Sequence, residues 1–229
     1  MTSAHALITG ASHGIGRRLA LGLAEDGYSL SLCARSPGPL MELADSIPTP
    51  VLAVPCDVSD PIACEEMLQA AVAKFGCVDA LIHCAGIFRA GNLELSHDDL
   101  DALYATNVRG TFNVIKATVP QFSTAGGHLI NFASRRGKMA HPSEALYSAS
   151  KYAVVGYSEA LYKELAPRGI KVTAICPGWV YTEMARTAPV AKQEMIQTED
   201  MLATVRYLLS LSKAACVKQI LMEPAGDLV

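Results

Sequence analysis

The stretch "LITGASHGIG", residues 7–16, decides how the rest of the chain is read. A short apolar run ends at Thr9, and Gly10, Gly14 and Gly16 follow at once. The next residues carry Leu19, Leu23 and Ala24 at helical spacing, and the pattern stops at Gly27. Strand, glycine turn and helix in succession open a βαβ unit. In that setting each glycine has a task. Gly10 lets the chain leave the strand tightly, Gly14 admits a pyrophosphate close to the backbone, and Gly16 lets the helix pack near the sheet. The helix N-terminus then aims free N–H groups at the anion, with Ser12, His13 and Ile15 as candidate binding residues in the same turn. The spacing is G-x-x-x-G-x-G, not the better-known G-x-G-x-x-G. Alone it is compatible with a turn that binds nothing.

Working outward, strand-like and helix-like segments alternate along the chain. Strands are predicted over 5–9, 28–34, 51–58, 78–86, 126–134, 169–178 and 218–224. Helices are predicted over 14–27, 36–47, 60–76, 96–122, 145–166 and 198–212. Asp60 and Ser96 read as N-caps, with Pro61 at a first helical position. This alternation predicts a doubly wound, Rossmann-like parallel sheet of about seven strands with helices on both faces, a three-layer α/β/α architecture. No linker, repeat or low-complexity tract divides it, so residues 1–229 are expected to form one domain.

Bulk composition narrows the function classes. The net charge of −3 gives no basic footprint for nucleic acid. No apolar run reaches the roughly 18 residues of a membrane span, and no signal-type segment opens the chain. The seven cysteines are odd in number, form no C-x-x-C pair and fall mostly in apolar runs, the pattern of free thiols in a reducing compartment. The histidines show no metal-ligand spacing. A cytoplasmic protein without a metal is expected.

The end of the second strand is where a ribose would be read. A carboxylate there would accept from a free 2′-OH and repel a 2′-phosphate. The sequence has "SLCARS" instead, and Arg35 offers forked donors and a permanent charge. NADP(H) is therefore favoured over NAD(H), with His13 as a possible second donor. In "CDV", Asp57 and Val58 fall near the adenine end, where Asp57 either accepts from the adenine amino group or caps a turn.

"YSASK" carries the chemistry. Tyr147 and Lys151 are separated by one helical turn and share a face. A nearby cation favours tyrosinate, lowering the phenol from its ordinary value of about 10 and making it a usable general acid/base. Upstream, "NFAS" ends a strand with Ser134, at the carboxyl edge where open sheets bind ligands. Each part alone is also common on amphipathic helices and strand ends.

Together, these motifs resemble the short-chain dehydrogenase/reductase family, of the compact single-domain type, over nearly the whole length. "TGASHGIG" (9–16) is similar to the family's cofactor turn, and "CDV" (56–58) to its adenine-side segment. "TNVRG" supplies Asn107, Ser134 precedes Tyr147 by thirteen residues, and Lys151 completes Y-x-x-x-K. "CPGWVYT" (176–182) matches the P-G-x-x-x-T segment beside the nicotinamide, with Pro177, Gly178, Val180 and Thr182. The resemblance implies a catalytic set of Asn107, Ser134, Tyr147 and Lys151. Tyr147 would exchange a proton with the substrate oxygen, and Ser134 would hold that oxygen. Lys151 would lower the Tyr147 pKa and bond the nicotinamide ribose, and Asn107 would hold a relay water. Val180 and Thr182 would grip the carboxamide. It also implies a homotetramer or homodimer, built on the helices at 96–122 and 147–166.

Two departures stand out. The family's N-N-A-G after the fourth strand is "HCAG" here, His83 to Gly86, keeping the turn at Ala85 and Gly86 but losing the asparagine that braces the sheet. The segment from Thr182 to Glu199, where the family carries its substrate lid, is short. A further feature is "SRRGKMAH", which puts Arg135, Arg136, Lys138 and His141 between Ser134 and Tyr147. A charge run of this kind reads first as a solvated loop or subunit contact. The alternative is a field that favours an anionic or carrier-bound substrate.

The expected activity is NADPH-dependent reduction of a ketone or aldehyde, reversible as alcohol oxidation. The alternatives are an NAD-linked secondary-alcohol dehydrogenase, a 3-oxoacyl-carrier reductase and, in a different class, a nucleotide-sensing or scaffold protein without turnover.

Overall fold

The seven strands of the computed structural model, which describes residues 3–226, form one sheet. The ends of the expected 1–229 domain lie outside the described residues. In chain order the strands are β1 (His5–Thr9), β2 (Ser29–Ala34), β3 (Val51–Pro55), β4 (Ala80–His83), β5 (Gly127–Phe132), β6 (Ile170–Pro177) and β7 (Gln219–Met222). They lie in the order β3-β2-β1-β4-β5-β6-β7, and every pairing is parallel. The chain winds outward from β1 to β3, then returns and winds the other way from β4. The reversal opens a crevice at the carboxyl ends of β1 and β4, where doubly wound sheets bind ligands.

The helices are α1 (Gly14–Glu25), α2 (Pro37–Asp45), α3 (Pro61–Phe75), α4 (His97–Tyr104), α5 (Gly110–Thr118), α6 (Ala145–Leu165) and α7 (Thr198–Ser210). Alternation along the strands divides the core in two. On β1, Ala6 and Ile8 face one layer and Leu7 faces the other. The first layer holds Leu19 and Leu23 of α1, Leu40 and Leu43 of α2, and Leu202 and Val205 of α7. The second holds Met67 and Leu68 of α3, Val114 and Ile115 of α5, and Leu161 and Leu165 of α6. A sheet covered on both faces explains why its central strands read as continuous apolar runs.

The predicted caps form. The Asp60 carboxylate accepts from the amides of Ile62 and Ala63, and Ser96 and Asp99 make a reciprocal capping box. The long helix expected over 96–122 is not one helix. Between α4 and α5 the backbone widens into a π turn, Ala105–Arg109, and after α5 it tightens into a 3-10 turn, Val119–Gln121. Several strands are shorter than predicted, and the fifth ends at Phe132 rather than Ser134.

Candidate active site

The glycine turn floors the crevice with main chain. Gly10 has φ of +65°, and a Cβ there would lie 2.8 Å from the Ala85 amide nitrogen. A Cβ on Gly16 would lie 2.3 Å from the Gly10 carbonyl oxygen. Only glycine lets the turn, α1 and the end of β4 approach this closely. His13 is the N-cap residue of α1 but makes no side-chain capping bond; its Nδ1 pairs with Ser12 Oγ at 2.8 Å. The first-turn amides of α1 are therefore available to an anion. Ser12, His13, Gly14 and Ile15 line the crevice beside Gly10 and Gly16.

At the β2–β3 end, exposed Arg35 and buried Val58 line the same crevice. Asp57 does not line it. Its Oδ1 accepts from the Ser59 amide at 2.9 Å, so the carboxylate caps a turn. Burial works against its charge, but the bonds from Ser59 and the fields of Arg35 and Arg109 hold it below the ordinary carboxylate range. Of the two readings open for Asp57, the structure carries the turn cap.

At the other end, Ser134, Tyr147 and Lys151 line the crevice together, with Ala85, Gly86, Pro177, Gly178, Val180 and Thr182. Tyr147 and Lys151 stand on the inner face of α6, and Phe88 packs edge-on against the Tyr147 ring at 4.9 Å. Ser134 follows β5, where its Oγ accepts from the Arg136 amide at 3.1 Å. Burial pushes Tyr147 up to about 12, and Ser134 is the largest opposing influence. This departs from the expectation that Lys151 lowers it. Lys151 Nζ lies 5.8 Å from the ring centroid and donates to the Phe132 carbonyl at 3.1 Å. Burial also brings Lys151 down to about 8. Removing both groups from water disfavours both charged forms, and at this separation desolvation wins.

Asn107 is 1 % exposed and lies behind the crevice wall, not on it. It occupies the π turn, a deformation often found at functional sites. Its Oδ1 accepts from the Ile87 amide at 2.8 Å, and its Nδ2 donates to the Ile87 carbonyl and Ser150 Oγ, both at 3.0 Å. A Cβ on Gly86 would be 3.3 Å from both Asn107 Oδ1 and Lys151 Nζ. The turn at Ala85 and Gly86 thus separates two polar groups that a side chain would crowd.

His83 supplies the brace that the missing asparagine put in question. Its Nδ1 pairs with Thr9 Oγ1 at 2.8 Å and its Nε2 with Thr111 Oγ1 at 3.1 Å. The directions are fixed by the neighbours. Thr111 spends its proton on the Asn107 carbonyl (2.7 Å), so His83 Nε2–H must donate to Thr111. Thr9 accepts from the Ala85 amide (3.2 Å), leaving its proton for His83 Nδ1. One polarised chain runs from the cofactor-side turn through neutral His83 to the π turn. Burial pushes the His83 pKa down to about 3.

The basic segment divides into a buried half and a solvated half, and it is not an open positive field. Arg135 and Arg136 are buried and line the crevice. Arg135 bonds Glu223 at 3.0 Å and Arg136 bonds Glu144 at 2.5 Å. Paired charges cancel locally, so an anion gains little there. Lys138 bonds Gln219 at 3.0 Å on the surface, and His141 is exposed. The pairing was hidden because Glu223 is 88 residues from Arg135. Sequence reasoning also missed Phe88, Glu144, Trp179 and Met184, which line the substrate end. The loop after β6 carries two 3-10 turns, Glu183–Ala185 and Lys192–Glu194, and is pinched at its base by a bridge between Val180 and Ile196.

A main-chain floor, an uncapped helix N-terminus, a cation at one end and a tyrosine–lysine pair at the other fit a nicotinamide dinucleotide. The sequence pattern of the short chain dehydrogenase family matches residues 4–193. The chain belongs to that family. It is therefore a Rossmann-like, NAD(P)-dependent oxidoreductase. An uncharacterized oxidoreductase of Staphylococcus epidermidis is 32% identical over 221 residues, 96% of each chain. A β-ketoacyl-[ACP] reductase of Bacteroides thetaiotaomicron superposes with TM-score 0.84 at 36% identity, covering 98% of each chain. A short chain dehydrogenase of Burkholderia cenocepacia in complex with NADP superposes with TM-score 0.87 at 28% identity, covering 96% of each. Among the described residues of this short chain dehydrogenase, no helix is long and apolar enough to cross a membrane.

Proposed function

We propose that this chain is an NADPH-dependent carbonyl reductase that converts a ketone or aldehyde to an alcohol and runs in reverse on the alcohol. The observation that carries this reading is the convergence of Ser134, Tyr147 and Lys151 on one crevice, opposite the glycine turn and Arg35. When bound, NADPH supplies the hydride. Ser134 holds the carbonyl oxygen and stabilises the charge that develops on it. Tyr147, kept protonated by burial, donates its proton to that oxygen. Lys151 bonds the nicotinamide ribose and stabilises the phenolate left behind. Asn107 holds the wall of the proton path, through its bonds to the Ile87 backbone and Ser150. The Val180 backbone and Thr182 orient the carboxamide, and Arg35 receives the 2′-phosphate with His13 beside it. Asp57 supports the adenine end through its turn.

The NADP complex of the Burkholderia cenocepacia relative supports the cofactor choice. The likeness to a β-ketoacyl-[ACP] reductase keeps a 3-oxoacyl thioester among the substrates to be tried. The whole chain acts as one catalytic domain in the cytoplasm. It assembles as a homo-oligomer through α4, α5 and α6, where exposed Tyr104 and Phe112 border an apolar groove with Tyr157. The test is a panel of ketones, aldehydes and 3-oxoacyl thioesters with NADPH and NADH, followed at the nicotinamide absorbance. Tyr147→Phe should lose turnover and keep NADPH binding. Unchanged turnover refutes the assignment, and equal use of NADH refutes the role of Arg35.

A further inference from the structure

Ser134 and Tyr147 reach the crevice from separate segments, and the turn that follows Ser134 is tied to α6. That turn is a short 3-10 element, Arg135–Gly137. Ser134 Oγ accepts from the Arg136 amide at 3.1 Å, which occupies a lone pair of the hydroxyl and leaves its proton to be donated. Gly137 presses on the helix, since a Cβ there would lie 2.7 Å from the Lys151 carbonyl oxygen. Tyr152 Oη donates to the Lys138 carbonyl at 2.7 Å.

The third tie is charged and lies inside the crevice. Glu144 is the N-cap residue of α6, three positions ahead of Tyr147. Its carboxylate does not cap the helix, although a helix N-terminus favours negative charge. Asn92, from the loop after β4, accepts from the Ala145 amide instead, at 2.7 Å. The Glu144 carboxylate turns to Arg136 and accepts from its Nε at 2.5 Å. The side chains of Arg136 and Glu144 are only 10 % and 9 % exposed, and both line the crevice. A buried ion pair adds little to stability, because desolvation costs about what the attraction returns. This one joins the residue whose amide fixes Ser134 to the residue that opens the Tyr147 helix.

We propose that Arg136 and Glu144 are positioning residues for the reduction, their ion pair clamping the Ser134 hydroxyl against the head of α6 so that Ser134 and Tyr147 meet one substrate oxygen. The proposal rests on the carbonyl-reductase reading given above. The clamp acts through distance and through charge. Arg136 holds Ser134 with its main chain and α6 with its side chain, so the two segments cannot shift independently. The pair also sets two opposite charges beside the phenol. Burial raises Tyr147 foremost; beyond that Ser134 lowers it, Glu144 raises it and Arg136 lowers it, so the two halves of the pair oppose each other. Of the other titratable groups lining the crevice, Lys151 stands on the same helix and Arg135 is paired with Glu223. The segment after β4 brings the Cys84 thiol, the loop after β6 brings Glu183, and His13 and Arg35 belong to the nucleotide end.

Two variants test it, with the carbonyl of highest kcat/KM in the panel and its alcohol as probes. Arg136→Met combined with Glu144→Leu removes both charges and strands neither, so the double variant should melt near the wild-type temperature. Its kcat should fall about tenfold to a hundredfold while its NADPH dissociation constant stays unchanged. Glu144→Gln keeps an acceptor for Arg136 but leaves the cation unopposed beside Tyr147. In alcohol oxidation, where Tyr147 must first lose its proton, the pH at which the rate breaks should move down in Glu144→Gln and stay in place in the double variant. A pair that served stability alone would lower kcat only in step with melting temperature and would leave the break where it is. Wild-type kcat in the double variant, or an unmoved or raised break in Glu144→Gln, overturns the proposal. Tyr147→Phe separates the two readings. If it keeps turnover, the carbonyl-reductase reading fails and the clamp with it; if it is inactive while the pair variants match wild type, the clamp alone fails.

Discussion

His83→Asn separates two consequences of one buried imidazole. In the folded chain His83 is neutral, with its pKa pushed from 6.5 to about 3 by burial. In the unfolded chain it titrates at its ordinary value. Between those values the unfolded state binds a proton that the folded state refuses, so wild-type stability falls as pH falls below 6.5. At about pH 5.5 the cost is about 1.4 kcal/mol, and at about pH 7.5 it is close to zero. The asparagine variant does not carry this cost. Its own loss is of another kind. A shorter side chain cannot reach both Thr9 and Thr111, and the orphaned buried hydroxyl costs about 1–3 kcal/mol at either pH. The variant should therefore be less stable than wild type at the higher pH, and the gap should narrow by about 1.4 kcal/mol at the lower pH. His5 and His128, also lowered by burial, titrate in both proteins and cancel in the difference. Urea unfolding at both pH values and fixed protein concentration measures it. A gap that stays constant, or widens in acid, refutes a neutral His83 at the centre of the chain.

Gly16→Ala drives a methyl into the Gly10 carbonyl, 2.3 Å away, and should destabilise the fold by about 1–3 kcal/mol while weakening NADPH binding, read by melting temperature and titration. Arg35→Glu should remove about 1.5–3 kcal/mol of NADPH binding and leave NADH binding nearly unchanged; parallel loss of both would show that Arg35 does not read the phosphate. NADPH affinity should weaken as pH rises through about 8, where Lys151 loses its charge, and Lys151→Met should abolish that break. A wild-type affinity flat across that range would contradict the assignment.

The fold was legible because strands buried on both faces and amphipathic helices carry different periods, and because Asp60 and Ser96 announce helix starts locally. The π turn was not. A π turn keeps the chain helical and is marked by no proline or cap residue of its own, so α4 and α5 read as a single helix. The crevice-lining set was mostly readable from order and spacing, with Asp57 and Asn107 as the two residues that do not reach the surface of the crevice. Charge was the least readable property. Whether Arg135 and Arg136 form a field depends on Glu223 and Glu144, whose proximity is set by tertiary structure. The same holds for Tyr147, where the spacing to Lys151 suggested a lowered pKa and burial reversed it.

The crevice is made of two materials. Under the nucleotide it is peptide backbone, fitted so closely between Gly10, Gly16 and Ala85 that a single added carbon collides. At the far end it is walled by the side chains of Phe88, Glu144, Trp179 and Met184. Mutational drift acts on these unequally. A codon change in the wall reshapes which substrate fits without disturbing the coenzyme, whereas a codon change in the floor loses both. A lineage built on this plan can wander across substrates while its coenzyme stays fixed.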